Sequence, residues 1–141
     1  MTTINTYLSF MGNTEEAFNF YRSVFGTEFV GGIRRFGDMP DNDALPKEDK
    51  EKVMHVGLPI GGGSFLMGTD ALESQGQSLI FGNNFYISIS PESRAEAKKL
   101  FDGLSAGGKV ISPLEDTFWG AYFGAFTDKF GVQWMVNYLK Q

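Results

Sequence analysis

The one histidine of the sequence, His55, is its best candidate for proton transfer. Histidine side chains change protonation near neutral pH, so His55 could act as a general base or anchor a polar ligand through a hydrogen bond. A neighbouring backbone group or tyrosine could equally satisfy the ring. Cysteine is absent, which excludes cysteine nucleophiles, thiolate metal sites and disulfides. We therefore take His55 as the candidate catalytic residue.

Two similar segments supply polar candidates for ligand binding. The segment 7–10, Tyr-Leu-Ser-Phe, recurs as Tyr-Ile-Ser-Ile at 86–89. Both segments are predicted to be strands, and successive side chains of a strand point to opposite faces, so the tyrosine and serine of each segment share a face. The same alternation along 53–60 places His55 and Gly57 on such a polar face. The ligand-binding candidates of the two segments are Tyr7, Ser9, Tyr86 and Ser88.

Two further side chains have a functional and a structural interpretation. Asp70 ends a predicted strand and could orient His55 or bind a ligand, but a carboxylate leaving a strand also commonly caps a turn. Trp119 could stack on a flat ligand as a wall of the site, although tryptophan is more commonly buried in the core. We keep Asp70 and Trp119 among the ligand-binding candidates.

Each of the two repeated segments precedes a pattern typical of an amphipathic helix. In the first, Asn13 is placed to cap the helix, Glu16 to reach back in a capping box, and Gly26 to end it. In the second, Ser90 is the predicted cap and the glycines at 107–108 end the helix. The predicted apolar stripes are Ala17, Phe20, Tyr21, Val24 and Phe25 in the first helix and Ala97, Leu100, Phe101 and Leu104 in the second.

Three predicted strands follow each helix, separated by turns rich in glycine. The glycine run 61–63 would join two strands, whereas a nucleotide or S-adenosylmethionine loop needs glycines between a strand and a helix. We therefore expect neither nucleotide binding nor methyl transfer. The predicted strands are 28–36, 53–60 and 64–68 in the first half and 109–117, 120–127 and 133–139 in the second.

The predicted fold class is α+β, with two βαβββ modules whose paired, curved mixed sheets carry their helices on the outer face. One domain would span 1–141, with modules at about 4–70 and 84–139 and a linker at 71–83. The acidic segment 37–52 has no periodicity and is either a mobile flap over the site or a plain surface loop.

Composition limits the partners of this chain. The net charge is −5 and lysine and arginine do not cluster, which argues against binding nucleic acid. The N-terminal residues lack the apolar core of a signal peptide, and apolar runs are too short to cross a membrane. We therefore expect a cytoplasmic protein that binds neither membranes nor nucleic acid.

Two separated motifs carry a resemblance to a known family. The helix motif Ala-x-x-Phe-Tyr-x-x-x-Phe-Gly is present from Ala17 to Gly26, and an Asp-x-Phe-Gly-x-x-Trp turn runs from Asp128 to Trp134. With the repeat, these motifs make the chain resemble the PhnB-like branch of the vicinal-oxygen-chelate superfamily, also called the glyoxalase/bleomycin-resistance/dioxygenase superfamily. The resemblance covers residues 4 to 139.

The resemblance implies where a metal would be held. Enzymes of this superfamily hold a divalent metal through His, Gln and Glu side chains on the first and last strands of each half, but the matching positions here carry no normal ligands for such a metal. We predict no cofactor, and a divalent metal only if an atypical set of side chains binds it. The matching residues are Tyr7 or Ser9, Tyr86 or Ser88, Leu66 or Met67, and Met135 or Val136, with Asn137 reached by a shift of one residue.

Three functions are compatible with this resemblance. The first is a metal-free protein that sequesters an amphipathic or aromatic small molecule in a cavity between the curved sheets, with Met67 and Asn137 among the lining residues. The second is a lyase, isomerase or dioxygenase that uses an atypical metal site or acid–base chemistry at His55. The third is a structural or regulatory dimer with a vestigial pocket. Family members usually pair, so a homodimer is expected.

Overall fold

The computed structural model describes residues 2–139, which form two compact units that meet in sequence between Ile80 and Phe81. This boundary lies inside the segment 71–83, where the sequence predicts a linker. Each unit contains one four-stranded mixed sheet.

The first unit builds its sheet in the order β1-β4-β3-β2, with β1 and β4 parallel and the other neighbours antiparallel. A parallel pair of strands needs a long crossover connection. Here the connection is the chain between β1 and β4, which includes α1 and β3. Its elements are β1 (Thr6–Phe10), α1 (Thr14–Phe25), β2 (Arg34–Arg35), the short helix α2 (Lys47–Lys50), β3 (Val53–Gly61) and β4 (Ser64–Asp70).

The second unit repeats this arrangement. Its sheet order is β5-β8-β7-β6, again with the first and last strands parallel. The shared order confirms the predicted α+β fold of two βαβββ modules. Its elements are β5 (Ile87–Ile89), α3 (Arg94–Ser105), β6 (Lys109–Asp116), β7 (Ala121–Thr127) and β8 (Gln133–Leu139).

The start of α1 differs from the sequence prediction. Asn13 makes no capping hydrogen bond through its side chain, so the predicted capping box is wrong. The carboxylate of Asp70, at the end of β4, instead accepts hydrogen bonds from the backbone N–H groups of Gly12 and Thr14. A partner distant in sequence has replaced the local cap. Gly26 ends the helix as predicted, in the left-handed conformation that favours glycine.

The buried stripe of α1 is also shifted from the predicted one. Phe20, Val24 and Phe25 are only partly buried, while Phe18 is fully buried against β4. A side chain at Gly68 would overlap the Phe18 ring, so the glycine allows this close approach. The fully buried residues of the helix are Thr14, Ala17, Phe18 and Tyr21.

Helix α3 confirms its predicted stripe but begins later than predicted. Its cap is Ser93, whose hydroxyl accepts a hydrogen bond from the Glu96 backbone N–H at 3.0 Å. The prediction of Ser90 as the cap is therefore wrong. All four predicted stripe residues of α3 are buried.

Strand β2 is far shorter than the predicted 28–36. Gly31 and Gly32 adopt positive φ angles, which breaks the extended conformation before Arg34. The following segment holds two 3₁₀ turns and α2, and the N–H of Phe36 donates to the carbonyl of Lys52 at its base.

Within residues 2–139, no helix has the length and apolar character that crossing a bilayer requires.

Candidate functional site

One face of the first sheet brings several candidate residues together. Tyr7 on β1 is opposite Met67 on β4, which in turn is opposite Gly57 on β3. In the next row, Ser9 is opposite Thr69 on the same two strands. Strand alternation puts these side chains and His55 on one face of the sheet.

Tyr7 and His55 form a polar aromatic pair on this face. The Tyr7 hydroxyl lies 3.1 Å from Nδ1 of His55, and the two rings are tilted by 40° with centroids 5.8 Å apart. Burial raises the pKa of the Tyr7 phenol above its ordinary value. The hydroxyl therefore keeps its proton at neutral pH and can donate it to Nδ1, which leaves the proton of a neutral imidazole on Nε2.

Glycine at position 57 leaves room beside this pair. A Cβ atom added to Gly57 would lie 3.8 Å from Nε2 of His55 and 3.9 Å from Cγ of Met67. These are ordinary contact distances, so at least a methyl-sized space separates the imidazole from the methionine. A ligand packed over Gly57 would therefore lie beside Nε2, the ring nitrogen that Tyr7 does not engage.

The opposite face of the same sheet belongs to the core. Leu8 and Phe10 on β1 are buried there, and α1 packs across β3 and β4. The polar and apolar faces predicted from strand alternation are thus separated as expected for β1. On β3, Val56 and Leu58 are buried on the core side, but Val53 at the start of the strand is buried as well. Ile4 lies before β1 and is exposed.

Asp70 lies on the core side, away from Tyr7 and His55. Both carboxylate oxygens are engaged: Oδ1 accepts from Gly12 and Thr14, and Oδ2 accepts from the backbone N–H of Val53 at 2.8 Å. The residue is almost fully buried. These bonds support the structural interpretation of Asp70 rather than a place on the polar face that carries Tyr7 and His55.

The second sheet has an equivalent face. Ser88 on β5 is opposite Met135 on β8, and Asn137 on β8 is opposite Phe123 on β7. Alternation gives the Ser88, Met135, Asn137 and Phe123 side chains the same side of the sheet. Tyr86 immediately precedes β5 and is partly buried.

Trp119 lies in the turn between β6 and β7, beside this second face. The residue is 56% exposed and its ring centroid lies 6.2 Å from that of Phe123. The other tryptophan, Trp134, is fully buried, and its Nε1 donates to Asp128 at 2.9 Å. The two tryptophans therefore differ in exposure: Trp134 belongs to the core, whereas the Trp119 ring is open to solvent.

The residues present do not fit the family metal. Among residues 2–139, no three His, Cys, Asp or Glu side chains come close enough together to hold a metal ion. The positions that the resemblance assigns to ligands are tyrosine, serine, leucine, methionine and valine, which lack imidazole or carboxylate donors. These positions therefore do not reproduce the metal site of the family.

Two residues of the faces were not among the predicted site residues. Thr69 is opposite Ser9, and Phe123 is opposite Asn137. Thr69 follows Met67 by two residues, so alternation along β4 could have identified it. Identifying Phe123 as a neighbour of Asn137 requires knowledge of how β7 pairs with β8, which the sequence does not state.

Comparisons with known proteins agree with this architecture. Residues 3–136 match the model of the Glyoxalase/Bleomycin resistance protein/Dioxygenase superfamily. Protein YjdN of Escherichia coli (strain K12) is 34% identical over 146 residues, which cover 98% of this chain and 96% of YjdN.

Two solved structures are similar over nearly their whole length. Protein PA1353 from Pseudomonas aeruginosa is 39% identical, with a TM-score of 0.85 and 100% of both chains covered. The PhnB protein from Bacillus cereus, which also carries the name 3-demethylubiquinone-9 3-methyltransferase, is 28% identical. Its TM-score is 0.76, and 97% of this chain and 99% of that chain are covered.

Proposed function

Because the chain belongs to the glyoxalase/bleomycin resistance protein/dioxygenase superfamily, we propose that it binds a small amphipathic or aromatic molecule on the polar faces of its sheets. The observation that carries the proposal is the Tyr7–His55 hydrogen bond beside the space at Gly57. The pair offers a fixed polar contact next to aromatic and methionine surface. Such a combination of a few polar groups on apolar walls is typical of small-molecule sites.

Sequestration without a metal is the form of binding that the residues favour. The positions that would supply the family ligands carry side chains unsuited to divalent metals. A bound molecule would instead be held by hydrogen bonds to Tyr7, Ser9 and His55 and by contact with Met67. We do not propose methyl transfer, since the glycine run 61–63 joins the strands β3 and β4 rather than a strand and a helix.

Acid–base catalysis is a second candidate, and the same hydrogen bond favours it. Tyr7 fixes the orientation of the imidazole and engages Nδ1. Nε2 is then free to exchange a proton with a substrate packed over Gly57. This reaction would belong to a lyase or isomerase of the superfamily. Loss of turnover in His55→Ala with substrate binding retained would favour catalysis over sequestration.

The proposal is tested by thermal unfolding in a panel of phenols, aromatic carboxylic acids and quinones. We expect at least one compound to raise the melting temperature of the wild-type protein, because ligands that bind only the native state stabilise it. Tyr7→Phe and His55→Ala should each reduce that shift, since each loses a polar contact. Ser78→Ala, an exposed substitution outside both sheets, serves as the control.

Two outcomes would contradict the proposal. One is a panel in which no compound changes the melting temperature. The other is a shift that Tyr7→Phe and His55→Ala leave as large as in Ser78→Ala. The metal content of protein purified without a histidine tag would separately test whether an atypical metal site exists.

We also propose that the chain forms a homodimer. The support is the family resemblance and large apolar side chains left uncovered, such as Phe118 at 98% exposure and Ile80 at 97%. Light scattering should give a mass twice the 15.6 kDa of one chain. A monomer mass that does not change with concentration would contradict the proposal.

A further inference from the structure

The side chain of Asn137 in β8 has an unmet hydrogen-bonding requirement. Its Oδ1 atom is buried and has no hydrogen-bond partner within the described part of the chain. Buried polar side-chain atoms nearly always have a partner, and an exception calls for an explanation. Asn137 as a whole is only partly buried, so rotation of its amide group presents this oxygen to a molecule bound on the polar face of the second sheet, which then supplies the missing donor.

Aromatic rings lie next to this amide. Phe123 is directly opposite Asn137 on the neighbouring strand, and Trp119 packs on Phe123 with its ring tilted by 59°. Because Trp119 is only half-buried, part of its ring remains open to a ligand. Flat rings stack well on such surfaces. The patch therefore combines a platform for a planar group with an amide at its edge.

The charge and the hydrogen-bonding groups of the patch limit the class of ligand that it can bind. A carboxamide has one accepting and one donating end, so a ligand edge that both donates and accepts can pair with it in either orientation. Glu115 on β6 is opposite Phe123 and disfavours an anion at this place. The groups that fit are uncharged rings with an amide-like edge.

We propose that the face of the second sheet that carries Asn137 and Phe123 binds an uncharged planar ring. That ring carries adjacent hydrogen-bond donor and acceptor groups, as in a lactam or cyclic imide. Asn137 pairs with that edge and determines specificity, while Trp119 and Phe123 contact the ring. The inference rests on the proposed function and names the chemical class of the molecule bound.

The test compares two matched probes, 2-quinolone and N-methyl-2-quinolone, titrated into nitrogen-15-labelled protein. The methyl group removes the donor and leaves the ring system unchanged. We expect 2-quinolone to bind about tenfold more tightly and to shift the Asn137 side-chain amide signals, because a buried acceptor loses its partner in the methylated complex. In Asn137→Leu the two probes should bind equally.

The aromatic contribution is tested with a matched pair of variants. Trp119→Leu should weaken both probes, since the platform is lost. Phe85→Leu changes an exposed aromatic residue just before β5, which alternation places on the face opposite Ser88, and it should bind both probes nearly as well as the wild type. Equal losses in the two variants would overturn the assignment of Trp119 to the ring.

Thermal unfolding separates recognition from a structural role of the amide. Asn137→Leu should melt at the same or a higher temperature, because an apolar group replaces a buried polar atom without a partner. A clear drop in melting temperature would overturn the inference. Equal affinity of both probes for the wild type, or no binding of either at millimolar concentration, would do the same.

Failure of this inference and failure of the proposed function would look different. If the compounds that depend on Tyr7 and His55 still stabilise the protein while the quinolone preference is absent, only the lactam-like class is wrong. If the quinolone preference is present while Tyr7→Phe and His55→Ala change nothing, the proposed role of the first face is wrong.

Discussion

Two buried aspartates determine much of the local structure around the strands. Asp128 accepts hydrogen bonds from the backbone N–H groups of Phe130 and Val132 and from the indole of Trp134. Asp70 joins the end of β4 to the start of α1 and to β3. The sequence predicted the turn role of Asp128, because its partners lie within six residues. The partners of Asp70 lie 17 to 58 residues away, which no local pattern reveals.

Asp70→Asn should destabilise the fold. One oxygen would be replaced by an amide NH₂ group, which cannot accept the hydrogen bonds that Gly12, Thr14 or Val53 donate to Asp70. We expect a loss of about 3 kcal/mol in the free energy of unfolding, measured with urea, because buried donors would be left unpaired. Asp43→Asn is an exposed control and should change stability by less than about 0.5 kcal/mol. Equal stability of the two variants would rule out the capping role of Asp70.

Among the elements, apolar spacing identified the helices α1 and α3 but not their details, and it did not identify the short helix α2. The stripe of α3 was predicted fully, whereas α1 presents Thr14 and Phe18 where the pattern favoured Phe20 and Val24. Phe18 is buried because Gly68 on β4 lets it approach the sheet. That contact depends on tertiary packing, which an amphipathic pattern does not contain.

The observed start of α3 gives a test with a built-in control. Ser93→Ala should lower the free energy of unfolding by about 1 kcal/mol, because the Glu96 backbone N–H loses its capping oxygen. Ser90→Ala, at the cap that the sequence pattern suggested, should leave it nearly unchanged. A larger loss in Ser90→Ala than in Ser93→Ala would show that the helix starts earlier.

The segment 37–52 is held at its C-terminal end by Asp49. The Ser74 hydroxyl and the Lys52 ammonium group donate hydrogen bonds to the carboxylate, and they hold its pKa below the ordinary value. A carboxyl with a lowered pKa stabilises the folded state above its unfolded pKa of about 3.9. That stabilisation is lost as the pH falls through the still lower pKa of the folded state.

Unfolding at several pH values tests this anchor of α2. Wild-type protein should be more stable than Asp49→Asn at neutral pH, and the difference should shrink as the pH falls below about 4, where the carboxyl becomes protonated. Asp43→Asn, an exposed change in the same segment, should show no such pH-dependent difference. If the difference in the free energy of unfolding between wild type and Asp49→Asn were constant with pH, the proposed anchoring role of the Asp49 carboxylate would be contradicted. Whether the segment acts as a flap stays a prediction.

At the scale of the whole molecule, duplication made the fold predictable. The repeated Tyr-x-Ser strands and capped helices indicated two similar modules, and both sheets have the same strand order. The position of Tyr7, Ser9 and His55 on the polar face of the first sheet followed from alternation. The Tyr7–His55 bond, the unpaired oxygen of Asn137 and the role of Phe123 depend on which strands pair, and no local sequence pattern contains that information.

The proposed function requires that the face bearing Tyr7 and His55 binds a small molecule. Titration of methyl-labelled methionine tests this prediction, because Met67 is opposite Tyr7 on that face. Strand alternation puts Met54, the neighbour of His55, on the other face of β3, and Met39 lies outside the sheet. Titration with the compound panel should move the Met67 methyl signal and leave those of Met54 and Met39 in place. Shifts confined to Met54 or Met39, or an unmoved Met67 signal with every compound, would contradict the claim.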